Sequence, residues 1–355
     1  MTSFRLATAD DRDAWDAFVA TRPEADPLQT WAWGDANALV DEVPVRGVIA
    51  RADGTLDGVA QLLVRPAGFG RAVGYAPHGP LWTREAADAG ELLAALLRGL
   101  RDEAARRRAL VIKLDPRTDP AGSPEAIHQL LLANGLQPAR HDLQARTTRI
   151  VELLDVGDDL MATWDKDARN LVRRSAREGV VTATDRRGDP AAIAAFHGLL
   201  EETSQRAGFR TRSAAFLQEL AGGLAPSGGW FLSLARLEER PIAGAVALRV
   251  GDRAIYAYGA SLREPALKHA NGAYAALAAT MRELAGDGVR TLDLWGVVEP
   301  GDETADASWA GFSAFKRQFG GEALRHPGTY DLVVSPPWHR IRDLRERLVS
   351  GGRTG

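Results

Sequence analysis

The sequence predicts a mixed α/β protein built from two similar halves. Three observations lead to this prediction: a chain of 355 residues, an apolar fraction of 45%, and an order of strands and helices that occurs twice. The length is comfortable for two domains, and a charged fraction of 26% is ordinary for a globular protein with a sizeable core. A repeat of this kind constrains the fold before any relative is considered.

The two halves share one order of elements, which is strand, turn, strand, strand, helix and strand. Short apolar runs predict the strands, and leucines that recur at helical spacing predict the first long helix. The elements of the first half are strands at 45–50, 58–64, 72–76 and 109–114, and a helix at 85–107. The elements of the second half are strands at 230–236, 243–250, 254–259 and 290–294, and a helix at 271–286.

Polar side chains fall at matching positions of the two halves. Tyr75 corresponds to Tyr258, and Asp115, just after the last strand of the first half, corresponds to Asp293. Each half is therefore expected to form a mixed sheet that is flanked by helices.

The domain boundary is predicted near the middle of the chain. We expect a first domain over 1–150, completed by 325–355, and a second domain over 151–324, with 135–151 linking the halves. Further helices are predicted at 10–21, 157–176 and 189–208, and a basic amphipathic helix at 338–349.

Composition excludes several classes of protein. The chain has no cysteine, which rules out disulfides, thiolate metal sites and a cysteine nucleophile. A net charge of −3 gives no general attraction for nucleic acid. We find no apolar stretch long enough to cross a membrane, no signal-peptide pattern, no histidine pair at metal spacing and no Walker loop, so we expect a cytoplasmic protein without a bound metal.

One helix carries a basic face. Arg169, Arg173 and Arg177 are spaced four residues apart and so lie on the same side of the helix. Such a face suits a pyrophosphate or an RNA backbone. The alternative is a solvated face whose arginines pair with neighbouring carboxylates.

A second candidate for anion binding is the loop 208–212, which contains Arg210 and Arg212 beside a glycine. It precedes a predicted helix that Ser213 or Thr211 would cap, and the free N–H groups of a helix start favour anions. The alternative is an ordinary surface loop.

Two further positions could take part in chemistry. Lys316 is one of four lysines in the chain, and it lies at the edge of a face formed by Phe312, Phe315 and Phe319 at helical spacing. The ammonium would be partly buried there, unless the residue is an ordinary surface lysine. Asp115 ends a central strand, where ligands meet open α/β sheets, although an Asp-Pro turn is the alternative.

Taken together, several segments resemble the FemABX family of non-ribosomal peptidyl transferases, in particular its shorter, FemX-like members without a coiled-coil arm. The segments that carry the resemblance are QTWAWG at 29–34, YAPHGP at 75–80, VIKLDP at 111–116, QARTT at 144–148, ARNLVRRSAREGV at 168–180, YAYGAS at 256–261, DLWG at 293–296 and FKRQFG at 315–320. The resemblance implies two tandem GNAT-like domains (the acyl-CoA N-acyltransferase fold). It also implies transfer of an amino acid from aminoacyl-tRNA to a stem-peptide amine of a peptidoglycan precursor, either lipid II or UDP-MurNAc-pentapeptide.

The resemblance also implies roles for individual residues. Lys316 matches a family lysine near the reacting ends, Phe315 packs beside it, and Asp115 matches an aspartate near the acceptor. We expect Lys316 to stabilise the oxyanion or the leaving oxygen, and Asp115 to orient or deprotonate the amine.

Precursor contacts are implied at a second set of positions. Arg212 matches an arginine that contacts the phosphates, and either Tyr256 or Tyr258 matches a tyrosine of the precursor site. The chain departs from the family pattern twice: Phe216 stands where a tyrosine is usual, and Asn37 stands where a lysine helps to hold phosphate.

No cofactor is expected besides the aminoacyl-tRNA co-substrate. GNAT enzymes hold the pyrophosphate of acetyl-CoA on a glycine-containing loop before a helix. The corresponding loop here, 268–273, keeps a single glycine. The RNA would meet the arginines of 169–177, and the basic helix at 338–349 would either rest on an anionic membrane or dock on the first domain.

Three alternatives remain at the level of sequence. The same fold serves aminoacyl-tRNA-dependent decoration of a secondary metabolite or small peptide, acyl-CoA-dependent N-acyl transfer, and non-catalytic binding of RNA or a precursor. The donor amino acid and the oligomeric state are not predicted.

Overall fold

The computed structural model describes residues 3–119, 121–153, 157–299 and 310–341. It consists of two compact units. Unit 1 contains Met1–Gln144 and His326–Gly355, and unit 2 contains Ala145–Arg325. The predicted boundary at 150/151 is corrected by this division. It would cut the strand Thr147–Glu152, which pairs within the sheet of unit 2 and is therefore not part of a linker.

Unit 1 is built on one mixed sheet. Its strands are β1 (Ser3–Leu6), β2 (Val43–Ala50), β3 (Leu56–Gly68), β4 (Arg71–Ala76), β5 (Leu81–Trp82), β6 (Ala109–Leu114), β7 (Gln137–Pro138) and β15 (Tyr330–Val333). The order across the sheet is β1-β2-β3-β4-β6-β15-β7, and β5 pairs with β3. Strands β4 and β6 run parallel, whereas β15 runs antiparallel beside β6. The strand from the C-terminal part of the chain therefore extends the sheet of unit 1.

The helices of unit 1 cover the apolar faces of its sheet. They are α1 (Arg12–Thr21), α2 (Trp31–Ala38), α3 (Ala89–Arg106) and α4 (Pro124–Ala133). The leucines of α3 are buried against β2, β3 and β6, as their helical spacing predicts. Every residue of β6 is buried, which is typical of a strand covered on both faces. The core of the unit thus holds the C-terminal end of β6, and with it Asp115, in a fixed position.

Unit 2 repeats this plan. Its strands are β8 (Thr147–Glu152), β9 (Val181–Asp185), β10 (Trp230–Leu237), β11 (Arg240–Val250), β12 (Arg253–Ser261), β13 (Thr291–Gly296) and β14 (Glu322–Arg325). The order across the sheet is β14-β8-β13-β12-β11-β10-β9, in which only β12 and β13 are parallel among the described pairs. In both units, a helix joins the parallel pair, as the repeat in the sequence predicts.

Five helices of the described residues belong to unit 2. They are α5 (Lys166–Arg177), α6 (Pro190–Ala207), α7 (Ala214–Leu224), α8 (Gly272–Gly286) and α9 (Ala310–Arg317). Helix α6 begins at Pro190 and is capped by Asp189, and Gly208, which follows its last residue, adopts a left-handed conformation. Helix α8 connects β12 to β13 and packs on β10 and β11. The predicted α/β fold with two mixed sheets is confirmed.

Candidate functional site

Lys316 is the most unusual side chain of unit 2. It lies on α9 and is only 1% exposed to solvent. Its Nζ donates a hydrogen bond to the carbonyl oxygen of Gly296 at the end of β13 (2.8 Å) and lies 3.7 Å from the centroid of the Phe312 ring. Burial lowers the pKa of Lys316 to about 7, and the Asp293 carboxylate opposes that change only in part. The amine can therefore both hold and release a proton near neutral pH.

The backbone that accepts this hydrogen bond is held in a rare conformation. Trp295 has a φ of 65°, in the left-handed region, and its N–H donates to the Asp293 carboxylate (2.6 Å). Side chains that can bond to their own backbone stabilise such turns. The DLWG segment thus forms a sharp turn at the end of β13 that presents the Gly296 carbonyl to Lys316.

Helix α9 is fastened to the segment that follows β13. The buried Ser313 hydroxyl accepts a hydrogen bond from the N–H of Val298 (2.9 Å), and Arg317 donates to the carbonyl oxygen of Val298 (2.6 Å). After the helix, Gly320 and Gly321 both have positive φ, and a Cβ on Gly321 would lie 2.2 Å from the Ile150 carbonyl oxygen. These constraints fix the position of Lys316 relative to β13.

The aromatic residues around Lys316 divide into two groups. Phe315 packs edge to face with both Tyr274 and Phe319, whereas Phe319 stacks on Tyr274 and is fully buried. Phe312, in contrast, is 48% exposed, so its predicted place on a buried face is wrong. Its ring instead covers the Lys316 amine from the solvent side, an arrangement that spacing alone does not reveal.

Arg212 lies at the start of α7. Ser213, rather than Thr211, caps this helix by accepting a hydrogen bond from the N–H of Phe216. The guanidinium of Arg212 lies 4.5 Å from the centroid of the Phe216 ring and is hydrogen-bonded to Tyr258. Burial raises the pKa of Tyr258, partly offset by Arg212. A cation, a phenol and the start of a helix thus lie close together in unit 2, and such an arrangement suits an anion.

The structure gives different environments to the residues that were predicted to contact the precursor together with Arg212. Tyr256 is buried in the apolar core of unit 2, where burial raises its pKa, so of the two tyrosines only Tyr258 reaches Arg212. Phe216 is fully buried as well. The expected substrate contacts of Tyr256 and Phe216 are therefore corrected: Tyr256 is a core residue, and Phe216 supports the guanidinium from beneath.

In unit 1, Asp115 lies at the end of β6 as expected. One carboxylate oxygen accepts a hydrogen bond from the Tyr75 hydroxyl (2.7 Å) and the other from the N–H of His78 (2.6 Å). Gln144 donates in turn to the Tyr75 oxygen (3.1 Å). Burial raises the pKa of Asp115, partly offset by His78 and by these hydrogen bonds. Both oxygens are thus held in place, and the carboxylate is oriented by the parallel strands β4 and β6.

A second layer of polar residues lies behind Asp115, and sequence reasoning missed it. Asp26 contacts His78 and pairs with Arg117 (2.9 Å), which also contacts His326 (3.1 Å). Burial alone would raise the pKa of Asp26, but His78 and Arg117 lower it. Burial and Arg117 lower the pKa of His326 to about 2. The YAPHGP segment, which contains His78, was the available signal.

Asn37 does not fit its expected role. It lies on α2, is fully buried, and donates a hydrogen bond from Nδ2 to the Trp33 carbonyl oxygen (2.7 Å). An amide in that position cannot reach a phosphate unless α2 moves. The expected substrate contact of Asn37 is therefore corrected, and the reason is that the helical turn containing it faces the core.

The basic face of α5 is only partly available. Arg173 and Arg177 are exposed, with no ion pair among the described residues, whereas Arg169 is half-buried and donates to the Ala162 carbonyl oxygen. The opposite face of the helix, which includes Ala168 and Val172, packs on the core of unit 2. Arg173 and Arg177 are therefore the residues of this face that a polyanion could reach.

A cavity of about 470 Å³ lies in unit 2 between the end of β12 and the start of α8. Lys268, Asn271, Gly272 and Tyr274 are among the residues that line it. Asn271 has a φ of 51° and its side chain does not cap the helix. The loop 268–273 thus keeps an open space despite having a single glycine.

The C-terminal helix was predicted over 338–349, and its part beyond 341 lies outside the described residues. Within the described part, His339 is buried against Asp331, and Arg71 of unit 1 stacks on the Trp338 ring. The segment therefore packs on unit 1 over this stretch. In the described part of the chain, no helix has both the length and the apolarity that crossing a bilayer requires.

Comparison with known proteins indicates which family and fold the chain resembles. A family model described as an acetyltransferase (GNAT) domain matches residues 165–317, which include Arg212, Tyr258 and Lys316. The lipid II:glycine glycyltransferase of Staphylococcus aureus (strain bovine RF122 / ET3-1) is 27% identical over 242 residues, which cover 63% of this chain and 53% of the relative. The resemblance to the FemABX family is confirmed. The chain spans about half the length of the curated relatives that it matches.

Solved structures support the same fold. A crystal structure of FemX superposes with a TM-score of 0.81 at 20% identity and covers 96% of this chain and 99% of its own. A tandem GNAT protein from the clavulanic acid biosynthesis pathway has a TM-score of 0.56 at 14% identity, over 95% and 99% of the two chains. The chain thus has the fold of tandem GNAT-like proteins.

Proposed function

We propose that this chain transfers an amino acid from aminoacyl-tRNA to a stem-peptide amine of a peptidoglycan precursor, and so begins or extends an interpeptide bridge. The observation that carries the proposal is the buried Lys316 amine, whose pKa is lowered to about 7 at the end of β13. The family resemblance and a relative that is named for lipid II and glycine support the choice of substrates.

The reaction needs no covalent enzyme intermediate. The acceptor nitrogen attacks the ester carbon of the aminoacyl-tRNA and forms a tetrahedral intermediate with an oxyanion. The carbon–oxygen bond to the ribose then breaks, the nitrogen loses a proton, the ribose oxygen gains one, and an amide remains. An ester is already activated, so positioning and charge stabilisation can supply most of the acceleration.

Lys316 suits the role of proton donor in this sequence. Its protonated amine would stabilise the oxyanion and then give a proton to the leaving ribose oxygen. Because its pKa is near 7, the amine regains a proton readily at neutral pH. Its low exposure also keeps water from weakening the interaction.

The other assignments follow the resemblance. We assign Asp115 to orienting the acceptor amine, with Tyr75 holding the carboxylate, and Arg212 with Tyr258 to a phosphate of the precursor. Arg173 and Arg177 are assigned to the RNA backbone, so binding of tRNA is expected to weaken steeply with salt. Use of aminoacyl-tRNA implies a reaction in the cytoplasm, and a lipid-linked acceptor implies peripheral contact with the inner membrane face.

The test is a transfer assay read by mass spectrometry. Purified full-length protein is mixed with charged tRNAs and with either UDP-MurNAc-pentapeptide or lipid II. A precursor heavier by one amino-acid residue is the expected result, and the added mass identifies the donor. An unchanged mass with both acceptors, while the tRNA stays charged, would refute the proposal.

A second candidate function rests on the cavity at the start of α8. It lies at the place where GNAT enzymes hold the pyrophosphate of acetyl-CoA. Under this alternative, acyl-CoA would be the donor for transfer to a secondary metabolite or small peptide. Calorimetry with acetyl-CoA distinguishes the two candidate functions. Saturable binding of acetyl-CoA would favour acyl-CoA as the donor. Absence of binding, together with transfer from aminoacyl-tRNA, would exclude the acyl-CoA alternative.

A further inference from the structure

The hairpin between β3 and β4 ends in an exposed aromatic residue. Phe69 is 83% exposed, the highest value among the large apolar side chains of the described residues. It lies between Gly68 and Gly70, and all three residues have positive φ, which is uncommon for an aromatic residue. Residues 65–70 are all exposed. A phenyl ring is therefore presented to solvent at the tip of a two-stranded ribbon.

Arginines surround the base of this tip. Arg65 is exposed on β3, and Arg108 is exposed after α3, where its Nη1 would lie 3.9 Å from a Cβ added to Gly70. Arg71 starts β4, and its guanidinium lies 4.5 Å from the centroid of the Trp338 ring. The chain as a whole has a net charge of −3, so this cluster is a local concentration of positive charge.

The apolar surface continues beyond the hairpin. Trp338 is partly exposed beneath Arg71, and Ile341, one helical turn later, is 55% exposed. Arg340, between these two residues in the chain, is exposed as well. We call the set Phe69, Arg65, Arg71, Arg108, Trp338 and Ile341 the hairpin surface.

This combination fits a membrane better than another macromolecule. An anionic bilayer offers phosphates to guanidinium groups and, just below them, a region that accepts aromatic and aliphatic side chains. A phenyl ring on a narrow tip can enter that region without a matching pocket, whereas a protein partner would need one. We propose that the hairpin surface docks unit 1 on an anionic lipid bilayer, with Phe69 inserted among the headgroups.

The proposal extends the peripheral membrane contact of the proposed function and rests on it for its biological meaning. It assigns that contact to the β3–β4 hairpin, with the C-terminal segment beside it. The hairpin lies at the start of β4, whereas Tyr75 and Asp115 lie near the far ends of β4 and β6. At a rise of about 3.3 Å per residue, Tyr75 lies roughly 13 Å along β4 from the hairpin end of the strand. A docked unit 1 would thus hold Asp115 above the membrane, where an amine on a stem peptide can reach it.

The experiment is co-sedimentation of the full chain with vesicles, without substrates. Vesicles of phosphatidylcholine alone are compared with vesicles that also contain phosphatidylglycerol, at about 0.1 M salt. We expect binding to the anionic vesicles only. Phe69→Ser should weaken that binding about tenfold, and Arg65→Gln about fivefold. The matched controls are Val181→Ser, an exposed apolar residue of unit 2, and Arg98→Gln, an exposed arginine on α3.

Three outcomes would overturn the inference. They are absence of binding to anionic vesicles, equal binding by Phe69→Ser and wild type, and loss of a dimer in Phe69→Ser when light scattering is measured. Transfer to water-soluble UDP-MurNAc-pentapeptide, measured in parallel, keeps the two proposals apart. Transfer without vesicle binding removes only the docking surface, and vesicle binding without transfer removes only the proposed reaction.

Discussion

The two units have the same order of strands and helices, yet each buries a lysine for a different purpose. In unit 1, Lys113 lies on β6 and forms an ion pair with Asp331 (2.7 Å). In unit 2, Lys316 has a backbone carbonyl as its hydrogen-bond acceptor and a phenyl ring above it. A carboxylate partner offsets much of the free energy that it costs to bury an ammonium, whereas an ammonium without a close carboxylate raises the free energy of the folded state. We infer that Lys113 is structural and that Lys316 is kept for chemistry.

The two aspartates that the sequence repeat was predicted to pair also differ in their environment. Asp115 of unit 1 is held by Tyr75 and by the N–H of His78. Asp293 of unit 2 holds the turn at Trp295 and acts on Lys316 through its charge. The two positions differ within the sheets as well, because Asp115 follows the end of β6 whereas Asp293 is the third residue of β13. The carboxylate of Asp115 is held in place by its neighbours, and that of Asp293 changes the pKa of an amine.

The largest expected effect concerns turnover. Replacing Lys316 by Met should lower the rate of amino-acid transfer about 100- to 1000-fold, because a group that stabilises developing charge is lost. Lys113→Met is the matched control and should change the rate of the folded enzyme by less than about threefold, since its amine is used in an ion pair. Equal losses in the two variants, measured by single-turnover kinetics, would break the comparison.

The second effect concerns stability, and the two lysines should differ in sign. The folded-state pKa of Lys316 lies below its unfolded value, so its burial costs free energy that is fully present below about pH 7 and is relieved as pH rises toward about 10.5. Lys316→Met should therefore raise the free energy of unfolding by about 2 kcal/mol near pH 6, after the loss of one hydrogen bond, and by less near pH 9.

Lys113→Met should instead lower the free energy of unfolding by about 3 kcal/mol, because it leaves Asp331 buried without its ammonium partner. Urea unfolding of both variants at about pH 6 and pH 9 measures the two effects. Destabilisation by Lys316→Met at the lower pH would contradict the reading of Lys316 as a functional residue that costs stability.

The smallest effect separates the two aspartates. Asp115→Asn should lower the transfer rate about tenfold, because an amide accepts fewer hydrogen bonds than the carboxylate does. It should leave the pH at which the pH–rate profile bends unchanged. Asp293→Asn can still accept from the N–H of Trp295, but it removes the charge that raises the pKa of Lys316. It should therefore move the bend in the pH–rate profile to lower pH. A shift caused by Asp115→Asn would contradict these roles.

Much of the fold could be predicted because short apolar runs and helical spacing in the sequence indicate most of the repeated strands and helices. The predicted strand at 109–114 coincides with β6, and the helix at 271–286 differs from α8 by one residue. Elements with weak local signals were missed. β8 lies where a linker was predicted, and β1, β14 and β15 are short strands that become strands only by pairing with distant residues.

The candidate site could be predicted only in part. The sequence predicted partial burial of the Lys316 amine beside Phe315 and Phe319, with an ordinary surface lysine as the alternative. The cover provided by Phe312 and the turn at Trp295 depend on tertiary packing. Spacing also could not choose between Tyr256 and Tyr258, since a register shift in the pairing of β11 with β12 lies next to them. The layer behind Asp115 joins residues from distant parts of the chain, so no local pattern could reveal it.

The central claim is that the protonated amine of Lys316 carries the transfer, and its most direct test is the pH dependence of single-turnover transfer by wild type and Lys316→Arg. Rates should rise with pH as the acceptor amine loses its proton. In the wild type this rise should bend over near pH 7, where Lys316 loses its own proton. Lys316→Arg, whose guanidinium stays charged, should be much slower and should keep rising. A variant that matches the wild type in both rate and bend would contradict the account.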